Sequence, residues 1–283
     1  MYADIKDKVV IVTGAGREGG LGAGIALRLG REGARVVVHD IGDRLKTVVG
    51  GDALASVAGM QRVADTIRRE GGEASICSAD MQSEADVKAL VEFAVEIYGR
   101  LDILINNAGV GFLFAPLFEM TQESWDTTMN VNLRGAFFAL KHAALQMASQ
   151  AEHDNWGRGR IVSIASRAAK SGSALTSAYT ASKHGLIGLT RSAAVELGPQ
   201  RINVNAICPN HVTTGLGEWQ NEYMAHAKKQ SVPEYLKAMR NNIPLRRVGL
   251  VEDTAKACAF LCSDQANYIT GEAMNVSGGE EYH

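Results

Sequence analysis

Short apolar runs alternate with amphipathic stretches along most of the chain. The apolar runs are rich in valine and isoleucine, which favours strands, whereas the stretches between them repeat with the period of a helix. We expect strands at 8–13, 35–39, 73–77, 101–106, 160–165, 201–207 and 272–276. We expect helices near 20–32, 59–71, 83–98, 121–150, 178–197 and 251–262. Gly198 and Pro199 should end the helix that begins near 178.

Strands that alternate with helices predict a parallel sheet with helices on both faces. The sequence therefore predicts an α/β fold, a Rossmann-type doubly wound sheet of about seven parallel strands. No repeat or low-complexity linker divides the 283 residues, so we expect one domain over 1–283. Segments 42–58 and 151–159 interrupt the alternation and are expected to be surface loops.

Composition and charge exclude several classes of protein. Hydrophobic residues make up 46% and charged residues 21% of the chain, the balance of a globular enzyme. The formal net charge of -2 provides no basic field for nucleic acid or an anionic membrane. The sequence shows no charged and apolar leader and no apolar run as long as a membrane span, so we expect a cytoplasmic location.

The four cysteines, Cys77, Cys208, Cys258 and Cys262, lack the spacing of a metal site or a redox motif. Cys258 and Cys262 lie four residues apart, but two thiols alone make a poor metal site. We therefore expect reduced thiols that pack in the core, and no bound metal.

A glycine-rich stretch follows the first predicted strand and leads into the first predicted helix. It reads TGAGREGGLGAG from 13 to 24. Glycines allow a tight turn and let the backbone approach a pyrophosphate, whose charge is met by the unpaired amides at the helix start. This context, more than the glycines alone, predicts a dinucleotide site at Gly14, Gly20, Leu21 and Gly22.

The residue that ends the second strand bears on which dinucleotide is bound. Asp40 lies at about the separation from the glycine loop at which a carboxylate reaches the adenosine ribose hydroxyls. A carboxylate there repels the 2′-phosphate of NADP, at a cost on the order of 1–4 kcal/mol at surface-like dielectric. Arg17 and Arg44 could each neutralise that phosphate and so favour NADP. On balance the sequence favours NAD.

Tyr179 and Lys183 lie four residues apart in a predicted helix, so their side chains share one face. Tyrosine titrates near pH 10, so a tyrosine that acts as a base near neutrality needs a shift of roughly 3 units, or about 4 kcal/mol. An ammonium at ~4 Å and an effective dielectric of ~20 supplies about that much. We therefore expect Lys183 to lower the pKa of Tyr179 and make it an acid and base.

Further motifs accompany this pair in a fixed order along the chain. They are NNAG at 106–109, NLRG at 132–135 and PNHVTT at 209–214, and the pair itself lies in AYTASKHG at 178–185. Each motif alone is weak evidence, but the ordered set spans nearly the whole sequence. With it the chain resembles the short-chain dehydrogenase/reductase family, which implies hydride transfer between a nicotinamide cofactor and a secondary alcohol or ketone.

The resemblance implies a catalytic tetrad of Asn132, Ser166, Tyr179 and Lys183. Ser166, thirteen residues before Tyr179, would donate a hydrogen bond to the substrate oxygen where charge develops, and Tyr179 would move the proton. Asn132 would hold a water that links Lys183 to solvent. Tyr179 and Lys183 would also contact the cofactor.

Other positions match the family's cofactor contacts residue by residue. Asp80 and Met81 follow the third predicted strand and match the positions beside the adenine. The remaining matches are Asn107, Ala108 and Gly109 on the adenosine and ribose side, and Val212 and Thr214 beside the carboxamide.

Two departures from the family pattern lie near the cofactor. The glycine loop is two residues longer than TGxxxGxG, which leaves the individual contacts in the loop open. Asn210 stands where the family has glycine after Pro209, and asparagine is the best substitute if this position requires a positive φ.

Segment 210–244 follows the last cofactor motif and is expected to form a lid over the substrate. Its polar make-up favours a hydroxylated substrate, a polyol or sugar. The tryptophan and tyrosine in the lid could bond hydroxyls, and basic residues at its edge could meet an anionic group. The candidate substrate contacts are Ser166, Arg167, Lys170, His211, Trp219 and Tyr223.

Apolar positions along 133–147 suit packing against a second subunit, as the resemblance implies, and suit a buried face within the chain equally well. They are Leu133, Ala136, Phe137, Leu140, Ala144 and Met147. The expected assembly is a homotetramer, with a homodimer as the alternative. Two other functions stay open: a lyase or epimerase that uses bound NAD without net turnover, and a catalytically idle nucleotide-binding regulator.

Overall fold

The computed structural model describes residues 2–44, 56–111, 113–212 and 214–283, and for 44 and 215–219 it describes the backbone alone. One sheet of seven parallel strands lies at the centre, in the order β3-β2-β1-β4-β5-β6-β7. The strands are β1 Val9–Val12, β2 Arg35–Asp40, β3 Glu73–Ser78, β4 Ile103–Asn106, β5 Gly159–Ile164, β6 Ile202–Pro209 and β7 Ala273–Val276. The sheet confirms the predicted doubly wound α/β fold.

Helices cover both faces of this sheet, and several begin at the caps that their sequences provide. Ser56 Oγ accepts a hydrogen bond from the Gly59 amide at 2.9 Å at the start of α2. Gly99, with a φ of 83°, ends α3. The helices are α1 Leu21–Arg31, α2 Val57–Arg69, α3 Glu84–Tyr98, α4 Gln122–Met129, α5 Ala136–Ser149, α6 Ser177–Leu197, α7 Gly215–Ala227, α8 Val232–Asn242 and α9 Val251–Cys262.

Consecutive residues of β1 point to opposite faces of the sheet, and all four are buried. Val10 and Val12 pack with α1, α2 and α9 on one face. Val9 and Ile11 pack with α3, α5 and α6 on the other. Because both faces are covered, the strand is an uninterrupted apolar run, which is the pattern that made it recognisable in the sequence.

The helix predicted over 121–150 is present but changes form near its middle. Residues Asn130–Gly135 form a π-helical turn between α4 and α5. Such turns are rare and often lie at functional sites, because the extra residue per turn redirects a side chain. Asn132 lies within this turn and is buried.

Segment 151–159 was expected to be a surface loop, and that expectation is wrong for Trp156. Its side chain is buried, and the indole N–H donates to the Cys262 carbonyl at 3.1 Å. The Arg160 guanidinium lies 4.2 Å from the centroid of the indole ring, which is cation–π distance. The loop is therefore anchored in the core by an aromatic residue that has no periodic pattern around it.

The other predicted insertion, 42–58, lies mostly outside the described residues, which resume at 56. Segment 210–244 contains two helices, α7 and α8, that its irregular polar pattern did not predict. Ser231 and Glu234 form a capping box at the start of α8. The candidate lid is therefore largely helical.

Three further expectations concern cysteines, metals and membranes. Cys208, Cys258 and Cys262 are buried and Cys77 is partly buried, as expected for thiols that pack in the core. Within the described ranges, no group of three or more His, Cys, Asp or Glu side chains is arranged to hold a metal ion. None of the helices that the structure describes combines the length and apolar character needed to span a membrane.

Candidate active site

The glycine loop lies at the carboxyl end of β1, where strand order reverses between β1 and β4. Gly14 has a φ of 67°, and a Cβ there would lie 2.7 Å from Ala108 Cα. A Cβ on Gly22 would collide with the Gly14 carbonyl. Gly20 caps α1 without a side-chain hydrogen bond. The loop therefore presents bare backbone and a helix start to any ligand, a cradle that fits a dinucleotide's pyrophosphate.

Asp40, at the end of β2, holds the glycine loop. Its carboxylate accepts hydrogen bonds from the amides of Gly16 at 2.9 Å and Ile41 at 2.8 Å. Burial raises the pKa of this carboxyl. Sequence reasoning assigned Asp40 to the ribose alone. The structure adds that this carboxylate shapes the lengthened loop.

Thr13 joins the ends of β1 and β4, and sequence reasoning missed it. Its hydroxyl oxygen accepts from the amides of Asn107 and Ala108, each at 2.9 Å. The Asn107 side chain in turn donates to the carbonyls of Thr13 at 2.8 Å and Gly14 at 3.0 Å. The sequence did offer a signal for this role, because Thr13 is a hydroxyl residue at the end of the first predicted strand and directly before Gly14.

Asp80 and Met81 lie just beyond β3, on the same edge of the sheet as Asp40. The pairing of Asp40 with Ser78 in the β2–β3 register brings these strand ends together. Asp80 Oδ1 accepts from the Gln82 amide at 2.8 Å. Met81 is buried, and its carbonyl lies against Gly135. Both residues therefore follow the strand end that lies beside Asp40, and their contact with the adenine stays a prediction.

The three residues predicted for proton transfer meet beyond β5. Ser166 begins a short 3₁₀ turn, Arg167–Ala169, and its side chain is near enough to the Tyr179 phenol to act on the phenol's pKa. Lys183 Nζ lies 5.7 Å from the centroid of the Tyr179 ring. The ammonium donates to the Ile164 carbonyl at 2.8 Å. The helical spacing therefore does place the phenol and the ammonium on one face of α6.

The expected direction of the Tyr179 pKa is wrong for this structure. Burial raises the pKa of Tyr179, and the interaction with the Ser166 side chain offsets this only in part. Burial also lowers the pKa of Lys183 to about 8. The physical reason is desolvation: a dehydrated pocket penalises the phenolate and the ammonium separately, and the ammonium is anchored on a backbone carbonyl.

Asn132, in the π-helical turn, contacts the segment after β4 and the helix α6. Its Oδ1 accepts from the Val110 amide at 2.7 Å, and its Nδ2 donates to the Val110 carbonyl at 2.9 Å. Nδ2 also lies 3.2 Å from Ser182 Oγ. The side chain therefore clamps the backbone after β4 against α6.

Ala108 and Gly109 lie between the glycine loop and the Tyr179–Lys183 pair. A Cβ on Gly14 would meet Ala108, as described above. A Cβ on Gly109 would lie 3.1 Å from Asn132 Oδ1 and 3.7 Å from Lys183 Nζ. The glycine loop and the phenol with its ammonium are therefore parts of one site along the carboxyl edge of the sheet.

Phe114, which no sequence motif marked, lies between the phenol and the candidate lid. Its ring centroid is 6.3 Å from that of Tyr179 and 6.1 Å from that of Tyr223 on α7, edge to face in both cases. The Tyr223 hydroxyl donates to the Phe114 carbonyl at 3.4 Å. Gln220 Nε2 donates to the Gly111 carbonyl at 2.7 Å. The lid thus contacts the loop after β4.

Several candidate substrate residues also lie at this end. Arg167 Nη1 is 3.7 Å from a carboxylate oxygen of Glu281, a contact that sequence reasoning did not foresee. Burial, and then the charge of Arg167, lowers the pKa of His211. Lys170 follows the same 3₁₀ turn, and its charge acts on Cys208. The side chain of Trp219 lies outside the described residues.

The last cofactor motif follows β6. Val212 forms a parallel bridge with Gly249 and is buried, and Thr214 is partly buried just before α7. Asn210 is not among the residues with positive φ. Its side chain donates instead to the Ser277 carbonyl at 3.2 Å and to Glu280. The departure from glycine at 210 is therefore explained by side-chain bonds to the C-terminal segment.

A nucleotide cradle that shares one edge of a parallel sheet with a proton-transfer group is the arrangement of a dinucleotide-dependent oxidoreductase. The sequence model of the family described as enoyl-(acyl carrier protein) reductase matches residues 14–281. The chain belongs to the short-chain dehydrogenase/reductase family and is an oxidoreductase of that type, which confirms the resemblance.

Individual relatives match the chain over nearly its whole length. A short-chain dehydrogenase/reductase of Armillaria gallica is 36% identical over 272 residues, 96% of this chain and 95% of its own. L-rhamnose 1-dehydrogenase (NAD(P)(+)) of Azotobacter vinelandii is 36% identical over 275 residues, 96% of each chain. The crystal structure of NAD+-bound xylitol dehydrogenase superposes with a TM-score of 0.86 at 32% identity, covering 97% of this chain and 99% of that one.

Proposed function

We propose that the protein transfers a hydride between NAD and a secondary alcohol or ketone of a hydroxylated small molecule, a polyol or sugar, within a single domain over 1–283. This proposal rests on the position of two neighbouring residues. Ala108 lies against Gly14 of the glycine loop, and Gly109 lies beside Lys183. Together they join the nucleotide cradle to the proton-transfer group. Two relatives whose names specify a sugar and a polyol support the substrate class.

A bound nicotinamide supplies or accepts the hydride. Tyr179 gives its proton to the substrate oxygen, or takes the proton of the alcohol in the other direction. Ser166 donates a hydrogen bond to the same oxygen, since its side chain lies beside the phenol. Lys183, held on the Ile164 carbonyl, places a positive charge beside the ring and stabilises the phenolate form once the pocket is occupied.

The remaining residues of the site hold the cofactor or its surroundings. The backbone at Gly14 and Gly22 and the start of α1 would hold the pyrophosphate. Asn132 keeps the turn after β4 in place for the nicotinamide end. The other proposed cofactor contacts are Gly20, Leu21, Asp40, Asp80, Met81, Asn107, Ala108, Gly109, Tyr179, Lys183, Val212 and Thr214.

Replacement of Asp40 by serine should raise kcat/KM for NADP relative to NAD by roughly tenfold or more, since a 2′-phosphate no longer meets a carboxylate. Asp43→Ser is the matched control, because it removes an exposed carboxylate from the adjacent turn. Steady-state rates with each cofactor measure the ratio. An equal ratio in both variants would contradict the preference for NAD.

The proposed reaction is tested with a panel of polyols, sugars and lipophilic ketones, each with NAD and NADP, by the absorbance of the reduced cofactor. We expect turnover of hydroxylated substrates with NAD. Turnover of lipophilic ketones alone would contradict the substrate class. Conversion of a substrate with no net change in absorbance would indicate a lyase or epimerase instead.

We further propose a homotetramer in the cytoplasm, where buried reduced thiols are stable. Four of the predicted interface positions, Ala136, Leu140, Ala144 and Met147, are buried within the chain itself and so do not support an interface. Large apolar side chains remain exposed on α5 and α6: Phe137 at 42%, Leu145 at 61% and Val195 at 82%.

Multi-angle light scattering should therefore give the mass of four chains. Replacement of Leu145 and Val195 by lysine should dissociate the assembly, because each places a charge on the apolar face. Lysine at exposed Ile97 is the matched control. A monomeric wild-type protein at working concentration would remove this proposal.

A further inference from the structure

The C-terminal segment returns to the catalytic turn after β7. The Glu281 amide donates to Ser277 Oγ at 3.2 Å, which folds the segment back. One Glu281 carboxylate oxygen accepts from Ser171 Oγ at 2.9 Å and lies 3.7 Å from Arg167 Nη1. Only 11% of the Glu281 side chain and 33% of the Arg167 side chain is exposed. The ion pair is therefore partly shielded from solvent and held by a hydroxyl.

This pair lies between the catalytic turn and the candidate lid. Arg167 directly follows Ser166 in the chain. Its charge acts on His211, where the lid segment begins, and on Tyr235 of α8. The guanidinium is therefore near enough to His211 at the end of β6 and to Tyr235 of the lid for its charge to act on both.

Carboxylates outnumber the guanidinium among the C-terminal groups beside Arg167. The Arg167 cation is paired with Glu281, and the carboxylate of Glu280 accepts from Asn210 beside it. Burial and the nearby guanidinium lower the pKa of His211, so its ring stays neutral at neutral pH. A positive Arg167 without Glu281 would attract an anionic substrate, as the sequence alone suggested. With Glu281 in place that attraction is cancelled.

We propose that Glu281 determines substrate specificity by pairing with Arg167, so that the pocket beside Ser166 accepts the hydroxyl groups of an uncharged substrate and disfavours a carboxylate. A hydroxyl can accept from a guanidinium N–H and donate to the carboxylate, whereas a second carboxylate has only acceptors and is repelled by Glu281. This inference rests on the proposed function and names the charge of its substrate.

The test compares two probes of equal carbon number, xylitol and xylonate, on the NAD complex of the wild type and of Glu281→Gln. Binding is measured by calorimetry and turnover by the absorbance of the reduced cofactor. Glu281→Gln should bind xylonate roughly tenfold to a hundredfold more tightly than the wild type does, the gain expected from a charge-assisted hydrogen bond to Arg167. Its affinity for xylitol should fall severalfold.

Two further variants separate this role from general effects. Glu272→Gln removes an equal charge from an exposed position and should change neither affinity. The double variant Arg167→Met with Glu281→Gln should lose the gained affinity for xylonate, since the cation that would bind it is gone.

The binding measurement distinguishes this inference from the proposed function. Tighter xylonate binding in Glu281→Gln, reversed in the double variant, supports the inference even if no probe is turned over. Wild-type binding of xylonate as tight as that of xylitol would overturn it. So would the absence of any gain in Glu281→Gln, or a gain that persists in the double variant.

Discussion

Replacement of Tyr179 by phenylalanine should lower kcat by roughly 10²- to 10⁴-fold, the contribution of a positioned proton donor and acceptor. The Ser166 side chain acts on the phenol, and Lys183 lies on the same face of α6. Removing the hydroxyl leaves no side chain placed to exchange a proton with the substrate oxygen. The measurement is kcat for a hydroxylated substrate with saturating NAD.

This substitution should affect catalysis without affecting folding. Phenylalanine keeps the ring that packs edge to face against Phe114, with the two ring centroids 6.3 Å apart. The melting temperature should stay close to the wild-type value. Tyr268→Phe, on a fully exposed tyrosine, is the matched control and should keep full activity. If Tyr179→Phe also kept full activity, the enzymatic proposal for this site would be wrong.

The layered fold was predictable because its signals are local. The central strands, such as β1, are short runs rich in valine or isoleucine, and helices such as α2 and α3 begin at serine caps. The glycine loop was predictable for the same reason: the strand, the turn and the helix start are contiguous in the sequence. Tyr179 and Lys183 lie one helical turn apart, so their proximity also follows from local spacing.

Contacts between distant segments were not predictable in this way. Glu281 reaches Arg167 across 114 positions of the chain, and no pattern around either residue marks the pair. Trp156 looked like part of a loop, because its burial depends on Arg160 and on a carbonyl of α9. The π-helical turn at Asn132 leaves the helical pattern of 121–150 almost unchanged.

The predicted direction of the Tyr179 pKa shift was wrong for a different reason. The spacing of Tyr179 and Lys183 gives their proximity, but a pKa also depends on how much water the fold removes from each group. Here desolvation is the largest cause for both residues. The proximity of the two groups was therefore not enough to predict the direction of the phenol's pKa shift.

Replacement of Lys183 by methionine should lower the activity without lowering the free energy of unfolding. Activity should fall on the order of 10²-fold or more, because the phenolate loses its neighbouring cation. Burial lowers the pKa of Lys183 from 10.5 to about 8, so keeping the buried ammonium at pH 7 costs about 3 kcal/mol of folding free energy. Methionine removes that cost and fills a similar volume.

The substitution also leaves the Ile164 carbonyl without its donor, a loss of about 1–3 kcal/mol. The free energy of unfolding at pH 7 should therefore be unchanged or higher than that of the wild type. Denaturant unfolding and kcat, measured on the same preparation, test both parts. Lys88→Met, at an exposed lysine of α3, is the control and should leave kcat unchanged.

The sign of the pH dependence gives an independent check. The unfolded lysine keeps its proton up to about pH 10.5, whereas the folded one loses it above about pH 8. The unfolded state therefore binds more protons across this window, and this residue makes the wild type more stable as pH rises through it. The stability advantage of Lys183→Met should shrink between pH 8 and 10.5. An advantage that grows with pH would mean that Lys183 is held as a stabilised cation, contrary to its desolvated position.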